Sequence, residues 1–221
     1  MLDTKQQHQL MTYLDMLLDW RQKFNLTAIA DPHEIVLKHF VDSLSLVPHI
    51  QDANTLIDIG TGAGFPGLPL KIALPNLRVT LVDSLNKRVN FLNTVIAELG
   101  LIGISATHAR AEELARQAAH RQSYDIAVSH AVATMPVLAE YCLPFVRLGG
   151  HFIAMKGPNI DDELSSSTNA LHSLGAKHHH TTLVNIPTTD ISHNLVIISK
   201  LFDTPPHFPR KAAQIAKKPI V

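Results

Sequence analysis

Residues 5 to 24 place Leu10, Leu14, Leu17, Leu18 and Phe24 at three- and four-residue intervals, which predicts an amphipathic helix. A second helix is announced by Asp31-Pro32-His33-Glu34. Asp31 is placed to cap the free amides, Pro32 suits the first helical position, and Glu34 completes a capping box. That helix is expected to run to about Val47 and to end before Pro48. From Thr55 onward, short apolar runs alternate with helical stretches. Strands are predicted over 55–59, 77–82, 103–107, 124–129, 151–155, 178–186 and 194–202, and helices over 67–74, 85–99, 111–121, 134–147 and 161–174. Gly100, Gly149-Gly150 and Gly175 fall where helices should stop. Such alternation implies an α/β fold with a mostly parallel sheet covered on both faces. The last two strands are joined by residues 186–191 without a helix, so they should form an antiparallel hairpin at one edge. The expected organisation is a helical extension over 1–50, an α/β core over 51–203 and a short tail over 204–221.

Composition adds limits. The chain has 221 residues, 46% of them apolar, enough for the core of one large domain. There is no apolar run of about 18 residues and no charged-then-apolar leader, so neither a membrane span nor a secretory signal is expected. A single cysteine, Cys142, excludes an internal disulfide and a multi-cysteine metal site, which fits a reducing cytoplasm. Nineteen basic residues balance nineteen acidic ones, and that neutrality counts mildly against a nucleic-acid binder. The distribution softens the objection. After Asp203 no acid remains, while Arg210, Lys211, Lys217 and Lys218 crowd the end. His178-His179-His180 has no carboxylate or cysteine near it in sequence and reads as a polar strand entry rather than a metal tract.

The chemistry begins at Leu56-Ile-Asp-Ile-Gly-Thr-Gly-Ala-Gly-Phe-Pro-Gly67. An apolar strand ending in an acid runs into a glycine-rich strand-to-helix turn, where the backbone can approach a ligand closely. Spacing narrows the ligand. A dinucleotide fingerprint would need glycine where Phe65 stands, and a phosphate-binding P-loop would need a lysine that the turn lacks. The pattern Asp-x-Gly-x-Gly-x-Gly is that of S-adenosylmethionine (SAM) methyltransferases. A second acid, Asp83, closes the next apolar run about 20 residues on, where a nucleoside cofactor's ribose is gripped. Gly60, Gly62, Gly64 and Phe65 are therefore expected near the amino-acid end of SAM, Asp83 on its ribose, and Ala111 and Glu112 beside its adenine. Asp58 is placed to meet the ammonium group through turn amides or water. No metal is expected.

The acceptor is narrowed by what the chain lacks. Exocyclic amines are usually held by an Asn/Asp-Pro-Pro-aromatic loop after the fourth strand, whereas here that place reads Ser129-His130-Ala131-Val132. Carbon-5 of a pyrimidine needs an activated cysteine, and Cys142 lies in an apolar helical stretch. A ring nitrogen such as guanine N7 carries a free lone pair, so neither proton removal nor a covalent step is required.

The chain resembles the RsmG (GidB) family of guanine-N7 methyltransferases of 16S ribosomal RNA. The resemblance is carried by Asn25-Leu-Thr-Ala-Ile29, His39-Phe-Val-Asp42-Ser43-Leu44, Asp58 to Gly67, Asp83-Ser-Leu-Asn-Lys87-Arg88, Arg110-Ala-Glu-Glu113, Met155-Lys156-Gly157 and Phe208-Pro209-Arg210-Lys211. It implies a Rossmann-like methyltransferase fold, SAM as cofactor, and a target in the 530 loop of 16S rRNA in the small ribosomal subunit. His39, Asp42 and Ser43 would share a helix face turned toward the pocket. Lys87, Arg88, Arg110 and Lys156 follow different strands and would gather at one electropositive mouth for RNA, with Arg210 and Lys211 of the tail adding charge. Two departures stand out: His130 and His193 occupy places where the family commonly has arginine, and His130, standing in for an RNA-facing arginine, is counted with the RNA-binding residues. Two alternatives stay open, a SAM-dependent methyltransferase of a small molecule or protein, and a non-catalytic SAM-binding assembly factor. A monomer without membrane attachment is the default expectation.

Overall fold

The structure is a computed structural model that describes residues 2–21, 26, 29–130 and 133–220. Helix α1 (Thr4–Arg21) forms as predicted, burying Leu10, Tyr13, Leu14 and Leu17. Phe24, most of the Asn25–Ile29 match, and Ala131-Val132 lie outside the described residues. Asp31 caps α2 (Pro32–Ile35) by accepting from the Glu34 amide at 2.9 Å. The single helix expected from there to Val47 is not continuous. It widens into a π-helical segment (Val36–Val41), tightens again in α3 (Asp42–Leu44), and turns into α4 (Val47–Ile50). Pro48 does not stop the chain, because proline is tolerated in a helix's first turn, where no backbone donor is required of it.

The core follows as β1 (Thr55–Ile59), α5 (Gly67–Ala73), β2 (Arg78–Asp83), α6 (Asn86–Glu98), β3 (Ile104–His108), α7 (Ala111–Leu114), β4 (Tyr124–His130) and α8 (Met135–Cys142). Then come β5 (Val146–Lys156), α9 (Asp161–Ser166), α10 (Thr168–Ser173), β6 (Ala176–Asn185) and β7 (Ser192–Lys200). The strand order is β3-β2-β1-β4-β5-β7-β6, parallel from β3 to β5, with β7 antiparallel to both β5 and β6. Three predicted helices are shorter than expected. The one begun at Ala111 ends at Leu114; Pro144 converts the end of α8 into a 3₁₀ turn; and α9 and α10 are separated at Ser167.

Alternation along the strands explains why both faces are covered. Leu56, Leu81, Ile126, Ile153 and Leu195 face one apolar cluster, while Ile57, Val82, Ala127, Phe152 and Val196 face the other. The first cluster also takes in Leu10, Tyr13, Leu14, Leu17, Ile35 and Phe40, so the amino-terminal helices complete the core rather than extend beyond it. Cys142 is buried in the second cluster, and burial pushes its thiol up, as expected of a packing residue.

The carboxyl-terminal segment is docked. Phe208 packs into the second cluster, and α11 (Ala212–Lys217) follows it. Arg121 donates to the carbonyls of Thr204, Pro205 and Phe208, and Arg116 to that of Pro209. Lys200, wholly buried, donates to the carbonyls of Leu143 and Leu174 and to the Thr204 hydroxyl.

Candidate functional site

Strand order reverses between β1 and β4, and ligands of open α/β sheets bind beyond the carboxyl ends of strands at such a point. A cavity of about 490 Å³ lies there, lined by Gly60, Gly62, Phe65, Asp83, Arg88 and His130, among others. Its floor is the turn after β1. Gly60 and Gly62 have φ of +72° and +61°, and a Cβ on Gly60 would meet nothing within 4 Å. These two leave open backbone along the cavity. Gly64 and Gly67 act differently. A Cβ on Gly64 would come within 2.8 Å of the Tyr13 hydroxyl, and one on Gly67 within 2.3 Å of Leu81. They are small because protein, not ligand, presses on them.

Asp58 is fully buried beneath the turn, where one oxygen accepts from the Thr61 hydroxyl at 2.7 Å and the Gly67 amide at 2.9 Å. It therefore braces the loop and does not line the cavity. Burial, with a smaller push from Asp83, raises its carboxyl to about 7. Asp83 closes β2 with its carboxylate at the cavity wall, accepting from the Gly62 and Leu85 amides and pairing with Arg88 at 3.2 Å. An open glycine cradle facing a buried acid at the end of the next strand fits a nucleoside cofactor whose ribose hydroxyls donate to that acid. Ala111 and Glu112 stand in the first turn of α7, next in the sheet order and outside the lining of this cavity.

The loop is braced from the amino-terminal side by Tyr13, which sequence reasoning did not single out, together with Phe40 and the expected pocket residue His39. The Tyr13 hydroxyl donates to the Ala63 carbonyl at 2.5 Å, and its ring stacks on Phe40 and Phe65. His39 stacks on Phe65 with centroids 4.6 Å apart. Burial, aided by repulsion from His130, lowers His39 to about 4, which keeps it neutral at physiological pH. Ser43 departs from its expectation: its hydroxyl donates back to the His39 carbonyl, a local use common for serine in helices.

A second cavity of about 300 Å³ adjoins the first across His130 and is lined by Lys38, Asp42, Lys156 and His193, among others. Asp42 is only 6% exposed. His193 Nδ1 lies 2.7 Å from its Oδ1, and His130 Nε2 lies 3.7 Å from its Oδ2. The two departures from the family pattern thus converge on one carboxylate, which only the fold reveals. Burial lowers His130, against the pull of Asp42 and with a push from His193.

The expected RNA-facing cations divide. Lys87, Arg110 and Lys211 are exposed. Lys156 is paired with Glu163 at 2.6 Å and donates to the Ala133 carbonyl. Arg210 is turned inward: Nε and Nη2 clasp Glu140, a fully buried carboxylate on α8, at 2.9 and 2.6 Å. That clasp spends its charge on the fold. Among the described residues no cluster of three or more His, Cys, Asp or Glu side chains is arranged to hold a metal, and no helix is long and apolar enough to cross a membrane.

Comparison with known proteins agrees with this geometry. Residues 6–192 match the model of the GidB family, described as rRNA small subunit methyltransferase G. The chain is 49% identical over 221 residues to the ribosomal RNA small subunit methyltransferase G of Alkaliphilus metalliredigens, covering 99% of this chain and 92% of that protein. It is 52% identical over 220 residues to the protein of the same name from Acetivibrio thermocellus, covering 99% and 90%. Among solved structures, an O-methyltransferase from Bacillus cereus in complex with SAH superposes with a TM-score of 0.61 at 16% identity, covering 85% of this chain and 91% of that one, a likeness of fold.

Proposed function

The chain belongs to the rRNA small subunit methyltransferase G (GidB) family, and from that premise we propose that it methylates N7 of a guanine in the 530 loop of 16S rRNA, with SAM as methyl donor. The observation that carries the reading is the pair of adjoining cavities at the sheet's switch point, one floored by the glycine turn and walled by Asp83, the other holding Asp42. In this reading Gly60 and Gly62 offer open backbone to the amino-acid end of SAM, Asp83 accepts from its ribose, and Phe65 packs beside it. Ala111 and Glu112 are assigned to the adenine end. Asp58 and Tyr13 act indirectly, by holding the turn. When bound, SAM supplies a sulfonium-activated methyl group that N7 takes with its lone pair as the carbon–sulfur bond breaks.

The protein's own work is then alignment and exclusion of water. N7 has no proton to lose, so the absence of a dedicated base from the assignment is consistent. The exposed Lys87, Arg110 and Lys211 are the best placed of the basic residues to meet RNA phosphates, whereas Lys156 and Arg210 serve the scaffold. We take the working form to be a cytoplasmic monomer acting on the small subunit or its RNA. The test is incubation with labelled SAM and small subunits lacking the modification, followed by nucleoside mass spectrometry. The expected product is 7-methylguanosine; its absence at saturating SAM would refute the reading.

A further inference from the structure

Asp42 is a buried carboxylate without a permanent counter-ion. Among the described residues no lysine or arginine lies within ion-pair distance of it, and its neighbours are the two imidazoles of His130 and His193. The cations lining the same cavity are committed elsewhere, Lys38 to Glu34 at 2.8 Å and Lys156 to Glu163 at 2.6 Å. His193 is itself about nine-tenths buried, and neither of its ring nitrogens makes a hydrogen bond of good angle. Burying a carboxylate is costly unless donors reach it. A cavity that holds such a group and adjoins the cofactor cavity is built to receive a ligand that brings donors.

We propose that Asp42 reads the target base: its carboxylate accepts from N1–H and the N2 amino group of guanine, leaving N7, on the opposite side of the ring, toward the cofactor cavity across His130. This assignment rests on the guanine-N7 reading above. The chemistry selects guanine. Its Watson–Crick edge offers two adjacent donors to the two oxygens of one carboxylate. Adenine and cytosine place an acceptor beside their amino donor on that edge, and uracil offers a single donor between two acceptors. Methylation at N7 also leaves positive charge on the base. A carboxylate on the opposite edge meets more charge in the transition state than in the bound substrate, and such contacts raise kcat. Met155, 2% exposed, adds an apolar wall to the same cavity. His193 sits behind Asp42 as a positioning residue.

The test uses the full chain and small-subunit RNA carrying either guanine or inosine at the target position. Inosine keeps N7 and N1–H and lacks only the N2 amino group. The wild-type protein should methylate inosine roughly ten- to a hundredfold more slowly, the scale of a lost hydrogen bond to a charged group. Asp42→Asn should lower kcat on guanine by a similar factor and lose most of the guanine-over-inosine preference. The KM for RNA should hold within about twofold, because phosphate contacts dominate capture. SAM affinity by calorimetry should be unchanged, since Asp42 is outside the cofactor cavity's lining. Equal wild-type rates on guanine and inosine would overturn the assignment, as would an Asp42→Asn protein that still discriminates. If the variant does not fold, the wild-type comparison decides alone. No product even with guanine would instead defeat the guanine-N7 reading, and this assignment with it.

Discussion

Glu140 and Asp42 are both withdrawn from water and are answered in opposite ways. Glu140, 0% exposed on α8, is clasped by the fork of Arg210, whose backbone amide also donates to it at 2.8 Å. Asp42, 6% exposed, faces two imidazoles and a cavity. A guanidinium is charged at every physiological pH and pairs bidentately, so the first carboxylate is closed and its role is to hold the tail on the core. An imidazole carries charge only when protonated, and burial lowers His130, so the second carboxylate remains available to a ligand. Burial alone does not mark a functional acid; the permanence of its partner does.

The largest effect expected from this contrast is on stability. Arg210→Ala should leave the buried Glu140 without its counter-ion while keeping the donation from the residue-210 backbone amide, costing about 3–5 kcal/mol of unfolding free energy by urea denaturation. A loss under about 1 kcal/mol would mean that the clasp holds little and would break the comparison.

A third carboxylate sharpens it. Asp58 is fully buried, among the described residues no cation pairs with it, and its folded-state value of about 7 lies above the ordinary carboxylate value of 3.8. Between those values the folded chain holds a proton that the unfolded chain releases. The contribution is fully present below about pH 4 and is lost as pH rises through about 7, at no more than about 1.4 kcal/mol per pH unit. Asp58→Asn should flatten that decline. Unfolding curves at several pH values check it, and parallel slopes for the two proteins would show that Asp58 is ionised throughout.

Asp42→Asn should behave unlike Arg210→Ala, changing stability by less than about 1 kcal/mol, because no fixed ion pair is broken and a desolvated charge is removed. A loss as large as that of Arg210→Ala would place Asp42 among the scaffold residues. The smallest effect belongs to His130→Arg, which gives Asp42 the kind of partner Glu140 already has. With the 130 side chain 41% exposed, a gain of about 0.2–1 kcal/mol is expected at pH 8, shrinking toward acid pH where the histidine gains its own proton. Denaturation at the two pH values measures it, and a gain independent of pH would show that charge on residue 130 is not its source.

Much of this molecule is legible in one dimension because local physics writes it there. Short apolar runs and the glycine punctuation give β1 to its residue bounds and the other strands within a few residues, apart from the early start of β5. The hairpin of β6 and β7 follows from a link too short for a helix. Asp31 and Pro32 mark a real helix start, and the glycine turn with Asp83 marks the cavity, since both depend on neighbours in sequence. Tertiary packing decided the rest. Which glycines face open space and which face Tyr13 or Leu81 depends on elements tens of residues away. Arg210 and Lys156 read as free cations until Glu140 and Glu163 are brought against them. His130 and His193 read as separate losses of charge until β4 and β7 set them on either side of Asp42. Charge pairing acts over a few ångströms in space without regard to separation along the chain, so the sequence supplies the ionisable groups and the fold determines which of them remain free to do chemistry.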